Sequence, residues 1–162
     1  MNKQKDFISF DDFSSEQLKG IIDQAILLKQ NPYQPLLANK QLVMIFQKNS
    51  TRTRLSFEIG MNQLGGNAVF LSSDQSQLGR GEIISDTAQV ISRYADIIMI
   101  RANSHQDVIE FADNATIPIV NGLTDYNHPC QILADIMTYI EHRGSIAGKK
   151  VTWIGDGNNV CT

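Results

Sequence analysis

The sequence predicts an α/β fold, a parallel β-sheet flanked by helices on both faces, on two observations. Short apolar runs alternate with helical patterns along most of the chain, and such alternation builds βαβ units. The first run, Leu42 to Phe46, is apolar at every position, as in a strand covered on both faces. With 162 residues, 42% of them apolar, the chain is long enough to close one domain around a real core.

Taken in order, Ser14 with Gln17 three residues later fits a capping box that opens a helix with the apolar stripe Leu18, Ile21, Ile22, Ala25 and Leu28. Asn31-Pro32 ends it. After the strand Leu42 to Phe46, the segment Leu55 to Leu64 carries a helical pattern closed by Gly65-Gly66. Ala68 to Leu71 predicts a second strand, Ile84 to Tyr94 a helix, Ile97 to Ile100 a third strand, Gln106 to Ala112 a helix and Ile117 to Val120 a fourth strand. Between the second strand and its helix, Ser72 to Gly81 is a polar loop long enough to leave the body of the domain. A helix follows from about Pro129 to His142, proline being tolerated at a first helical position.

Gly144 to Gly148 reads as a linker, which divides the chain into residues 1–144 and 145–162. Lys150 to Ile154 then predicts the first strand of a second α/β domain, running into Gly155-Asp156-Gly157-Asn158-Asn159-Val160. A strand and a glycine turn cannot close a βαβ unit without the helix that should follow, so this second domain is expected to be truncated. The glycines match only the first part of a dinucleotide fingerprint, because Val160 stands in the third glycine's place.

The densest chemistry lies at Ser50-Thr51-Arg52-Thr53-Arg54, between the first strand and its helix. Singly, a hydroxyl at a helix start is an ordinary cap and an arginine in a helix an ordinary solvated residue. Three hydroxyls and two guanidinium groups in five positions directly after a strand instead combine free N–H donors, the positive end of the helix dipole and fork-shaped donors. That combination suits a phosphate-bearing ligand. Arg101 ends the third strand, and His128 with Gln131 follows the fourth, so all three segments converge on the carboxyl edge of the sheet, where open α/β folds bind ligands. Cys130, two residues from His128, cannot face it as a thiol–imidazole pair must and is read as a packing residue.

The formal net charge is −3, and the basic residues are scattered apart from Lys48, Arg52 and Arg54, which argues against nucleic-acid binding. Cys130 and Cys161 have neither metal-ligand spacing nor the pattern of a disulfide framework, so a reducing, cytoplasmic setting is expected. Met1 to Phe10 lacks a long apolar segment, and no stretch approaches a bilayer span, so neither secretion nor a membrane partner is expected.

Together, Ser50-Thr51-Arg52-Thr53-Arg54, the loop Ser76-Gln77-Leu78-Gly79-Arg80-Gly81-Glu82, Arg101 and His128-Pro129-Cys130-Gln131 resemble the carbamoyl-phosphate half of the aspartate/ornithine carbamoyltransferase family. The resemblance runs from about Phe7 to the end of the chain. Gln77, Arg80 and Cys130 resemble the ornithine branch, since the aspartate enzymes usually carry a lysine in that loop and threonine at the cysteine position.

The resemblance implies transfer of a carbamoyl group from carbamoyl phosphate to the side-chain amine of L-ornithine. Another amine, putrescine or aspartate, and a non-catalytic phosphate-ligand binding fragment stay open as alternatives. It further implies that Ser50, Thr51, Arg52 and Thr53 bind the phosphate, that Arg101 touches phosphate and carbamoyl oxygen, and that His128 and Gln131 hold the carbamoyl group. Arg52, Thr53, Arg101 and His128 would be the catalytic residues. Asn159 would contact the amino-acid substrate, and Gln77 would reach into a neighbouring subunit's site within a homotrimer. Neither metal nor organic cofactor is implied. The family's last helix packs back near the first, so an apolar patch is expected there, and the 162 residues alone are expected to be inactive.

Overall fold

The computed structural model describes residues 5–73, 76–78 and 81–161. Four parallel strands, β1 (Gln41–Phe46), β2 (Asn67–Ser72), β3 (Ile97–Arg101) and β4 (Ile119–Leu123), lie in the order β2-β1-β3-β4. Helices α1 (Ser15–Gln30), α2 (Thr51–Gln63), α3 (Ile84–Ile91), α4 (His105–Asn114) and α5 (Pro129–Arg143) alternate with them. From β1 the chain steps through α2 to β2, then crosses back through α3 to β3 on the other side of β1. The winding therefore reverses across the β1–β3 pair, and a crevice opens beyond their carboxyl ends.

Strand alternation sorts the apolar residues to two faces. On one, Val43, Ile45, Ile98, Ile100 and Ile119 meet Ala88 and Ile91 of α3 and Val108 and Phe111 of α4. On the other, Leu42, Met44, Phe46 and Met99 meet Met61 and Phe57 of α2. Both faces of β1 are thus buried, as its unbroken apolar run predicts. Phe111 is completely buried, so its truncation to alanine would cost about 3–5 kcal/mol.

The far edge of β4 is covered by the N-terminal segment. Phe7 N–H donates to Ile119 O at 2.8 Å, Asn121 N–H donates to Phe7 O at 2.8 Å, and the Asp6 carboxylate accepts from Ile119 N–H at 2.7 Å. These bonds satisfy a strand edge that would otherwise be open. Opposite β3, β4 carries a bulge: Ile100 pairs with Asn121 but Arg101 pairs with Leu123, leaving Gly122 as the extra residue. A Cβ on Gly122 would stand 2.5 Å from Met99 Sδ.

Several boundaries differ from the sequence expectation. Helix α2 begins at Thr51 rather than Leu55, because the Ser50 hydroxyl accepts from Thr53 N–H at 3.3 Å and draws the hydroxyl–arginine segment into the first turn. Strand β4 begins at Ile119 rather than Ile117, since Pro118 accepts from Ile98 N–H but has no N–H to return. Helix α3 stops at Ile91, where the Ser92 hydroxyl donates to Ala88 O at 2.6 Å and the chain turns.

The strand expected over Lys150 to Ile154 does not form. A parallel strand exists only against a neighbour, and no described strand lies beside this segment, which leaves Val151 and Ile154 exposed. Helix α5 packs on β4 and on α1, where Lys29 pairs with Glu141 at 2.8 Å. The capping box of Ser14 and Gln17 opens α1 as expected. Along its outer side, Phe13, Gly20, Ile21, Ala25 and Leu28 line an apolar groove, where the patch near the first helix was expected. No described helix is long and apolar enough to cross a membrane.

Candidate active site

At the β1–β3 reversal the two strand ends are tied by Gln47. Its N–H donates to Arg101 O at 2.9 Å, its Oε1 accepts from Asn103 N–H at 2.7 Å, and its Nε2 donates to Asp107 at 2.8 Å. Three segments then meet over the crevice. Ser50 caps α2, Thr51, Arg52 and Thr53 form the first turn, Arg101 ends β3, and His128 caps α5 with Gln131 in its first turn. Arg101 Nη1 donates to Thr53 Oγ1 at 3.3 Å, joining two of these segments directly. Ser50, Arg52, Thr53, Arg101, His128 and Gln131 line one cleft of about 450 Å³.

The cleft is built for an anion. Burial, then the nearby Arg52 cation, pushes the Arg101 guanidinium below its ordinary value, and its buried Nε has no partner among the described residues. Among the described residues, no ion pair includes Arg52 or Arg101. Burial, then the Arg101 charge, pushes His128 down as well, against an opposing pull from Asp135. Both effects favour the neutral imidazole, and among the described residues its buried Nδ1 is also without a partner. Unneutralised cations, free N–H groups at the start of a helix and the His128 imidazole surround a single space.

Helical spacing divides the hydroxyl–arginine segment between two sides. Arg52, Thr53, Ser56 and Phe57 face the cleft, whereas Thr51, Arg54, Leu55 and Glu58 line an adjoining groove. Arg54 lies 4.0 Å over the Phe70 ring and pairs with Glu58 at 3.1 Å. Ser50 borders both spaces, so Thr51 is separated from the other expected phosphate ligands.

Other expected residues lie apart. Gln77 is exposed and is not among the cleft-lining residues, while Gly79 and Arg80 of the same loop fall outside the described residues. Asn159 does not line the cleft either; its Nδ2 donates to Thr124 O. Cys130 does border it, but its Sγ donates to Asn121 O at 3.4 Å and burial pushes the thiol up to about 12, in keeping with a packing residue.

Sequence reasoning passed over Ser56, Phe57, Leu123 and Ala134, which complete the lining. The first two stand three and four residues beyond Thr53, a signal that becomes readable once α2 is known to start at Thr51. No described cluster of His, Cys, Asp or Glu side chains could hold a metal ion.

Comparison with known proteins agrees with this geometry. The family described as aspartate/ornithine carbamoyltransferase, carbamoyl-P binding domain, matches residues 5–141. The chain is 55% identical over 161 residues to the ornithine carbamoyltransferase of Methylococcus capsulatus, covering 98% of this chain and 54% of that protein. Among solved structures, ornithine carbamoyltransferase from Burkholderia thailandensis superposes with a TM-score of 0.90 at 52% identity, covering 96% of this chain and 55% of the other. The Pyrococcus furiosus enzyme gives 0.92 at 48% identity, covering 98% and 52%. The chain spans about half the length of the curated relatives it matches. With its reversal-point cleft and this match, the chain belongs to the aspartate/ornithine carbamoyltransferase family and carries its carbamoyl-phosphate binding domain.

Proposed function

We propose that the intact protein transfers the carbamoyl group of carbamoyl phosphate to the side-chain amine of L-ornithine, giving L-citrulline and phosphate. Residues 1–144 supply the carbamoyl-phosphate site and residues 145–162 open the ornithine-binding domain. The observation that carries this reading is the Arg101–Thr53 contact at 3.3 Å, inside a cleft shared with Ser50, Arg52, His128 and Gln131.

In this reading the phosphate rests on Ser50, the first-turn N–H groups of α2 and Arg52, with Thr51 contributing its backbone. The carbamoyl group lies toward His128 and Gln131. As the amine nitrogen bonds to the carbamoyl carbon, negative charge grows on the carbamoyl oxygen, where Arg101, Thr53 and the neutral His128 imidazole can donate. The carbon–oxygen bond to phosphate then breaks, and the departing phosphate takes up the proton that the amine gives up, leaving as a dianion that Arg52 stabilises. Orientation and charge stabilisation suffice, with no nucleophilic side chain.

The exposure of Gln77, away from its own chain's cleft, supports its reaching a neighbouring subunit within a homotrimer. Asn159 would swing from the Thr124 carbonyl to the amino-acid substrate once the second domain is in place. The setting is cytoplasmic and the role arginine biosynthesis. Calorimetric titration with carbamoyl phosphate tests the reading on the residues described here. Saturable binding that Arg52→Ala abolishes is the expected result, and wild-type protein that binds no carbamoyl phosphate would overturn it.

A further inference from the structure

His128 has an unpartnered Nδ1, yet the backbone beneath it is unusually well tied. Asn127, the preceding residue, is buried and bonded through all its polar groups. Its N–H donates to Thr124 Oγ1 at 3.2 Å, its carbonyl accepts from Thr124 N–H at 3.0 Å, its Nδ2 donates to Ile8 O at 3.3 Å, and its Oδ1 accepts from Asn121 Nδ2 at 2.5 Å. Thr124 is completely buried, and its hydroxyl also accepts from Tyr126 N–H at 3.2 Å. On the other side of His128, Pro129 fixes its own φ and begins α5.

We propose that Thr124 and Asn127 are positioning residues for His128: their buried hydrogen bonds hold the backbone on which the imidazole stands, so its orientation needs no bond to Nδ1. This rests on the carbamoyl-binding role given to His128 above. A ring held from below stays in place without a hydrogen bond of its own, whereas a ring anchored by such a bond would have to break it before turning to a ligand. The network also reaches the N-terminal segment through Ile8 and β4 through Asn121. Arg101 from β3 and Asp135 from α5 act on the ring's charge, and Asp11 of the N-terminal segment lines one cavity with His128.

The test uses imidazole-labelled protein and nuclear magnetic resonance titration of His128, with His142 as internal reference, in Thr124→Val, Thr124→Ser and Asn127→Ala. Thr124→Val keeps the shape and deletes the hydroxyl; Thr124→Ser keeps the hydroxyl. In Thr124→Val and Asn127→Ala the His128 midpoint should rise toward the ordinary imidazole value as the ring gains solvent. Carbamoyl phosphate affinity should fall about tenfold while inorganic phosphate affinity changes less than about twofold, and Thr124→Ser should retain both. An unchanged His128 midpoint in both variants would overturn the proposal. So would parallel loss of both ligands in step with a lowered Tm, which is what a purely structural role predicts. If one variant fails to fold, the other decides. Wild-type protein that binds no carbamoyl phosphate would sink the proposed function, yet the ligand-free titration would still decide the positioning.

Discussion

Replacing Arg101 by methionine removes the charge and the fork of donors but keeps most of the stem's volume, and it should separate binding from stability. Among the described residues, the Arg101 side chain makes one hydrogen bond, to Thr53 Oγ1 at 3.3 Å, and has a buried Nε with no partner. Its guanidinium is disfavoured first by burial and then by Arg52. A single hydrogen bond from a charged donor contributes about 1.5–3 kcal/mol at best, and one at the long end of the distance range contributes near the bottom of that span. Stranded polar atoms cost about 1–3 kcal/mol, more when charged.

The two nearly cancel, with the cost ahead. Arg101→Met should therefore leave the Tm unchanged or raise it by about 2 °C. Bound phosphate reverses the balance, because Arg101 then has the anion that its environment lacks. Losing a charge-assisted contact of about 1.5–3 kcal/mol corresponds to roughly 10- to 150-fold weaker carbamoyl phosphate binding. Differential scanning fluorimetry and calorimetric titration on the same samples give both values. A fall in Tm of more than about 4 °C, or affinity unchanged within about twofold, would refute the reasoning.

The His128 imidazole, pushed down by burial and Arg101, predicts a signed pH dependence. Above its ordinary value both folded and unfolded states are neutral; below it the unfolded state takes up the proton first, so stability falls with pH. The decline in Tm between pH 7 and 5 should be shallower in His128→Gln than in wild type, and equal slopes would contradict it. Cys130, pushed up to about 12 and bonded to Asn121 O, should resist iodoacetamide at pH 8 while exposed Cys161 reacts. Mass spectrometry should find one adduct per chain; two would contradict the burial argument. Gly122→Ala places a Cβ 2.5 Å from Met99 Sδ and 3.2 Å from Ile100 O. It should cost about 2 kcal/mol, or roughly 6 °C in Tm, and an unchanged melting curve would show that the bulge yields freely.

Local signals carried the readings that held. The capping box at Ser14, the unbroken run Leu42 to Phe46 and Pro129 at a first helical position each lie within a few residues, and each appears in the fold. The family and its binding domain were legible from the pairing of the hydroxyl–arginine segment with His128-Pro129-Cys130-Gln131. Strand order was not, because nothing local says that β3 pairs with β1 rather than with β2. The division of Thr51 and Arg54 from Arg52 and Thr53 depends on where α2 begins, and a four-residue error there conceals it. The polar ties of Asn121 and Asn127 were not legible because their shared partner, Ile8, is more than a hundred residues away in sequence.

The order β2-β1-β3-β4 also fixes when the site can come into existence during folding. The segment β1-α2-β2 is local and can close early, carrying Ser50, Arg52 and Thr53 with it, but Arg101 arrives only when β3 crosses back to the other side of β1. His128 must wait for β4 and for the N-terminal strap at Phe7, over a hundred residues upstream. A partly folded chain should thus bind phosphate weakly before it can bind carbamoyl phosphate. In a refolding experiment the second ligand would report the docking of the last strand.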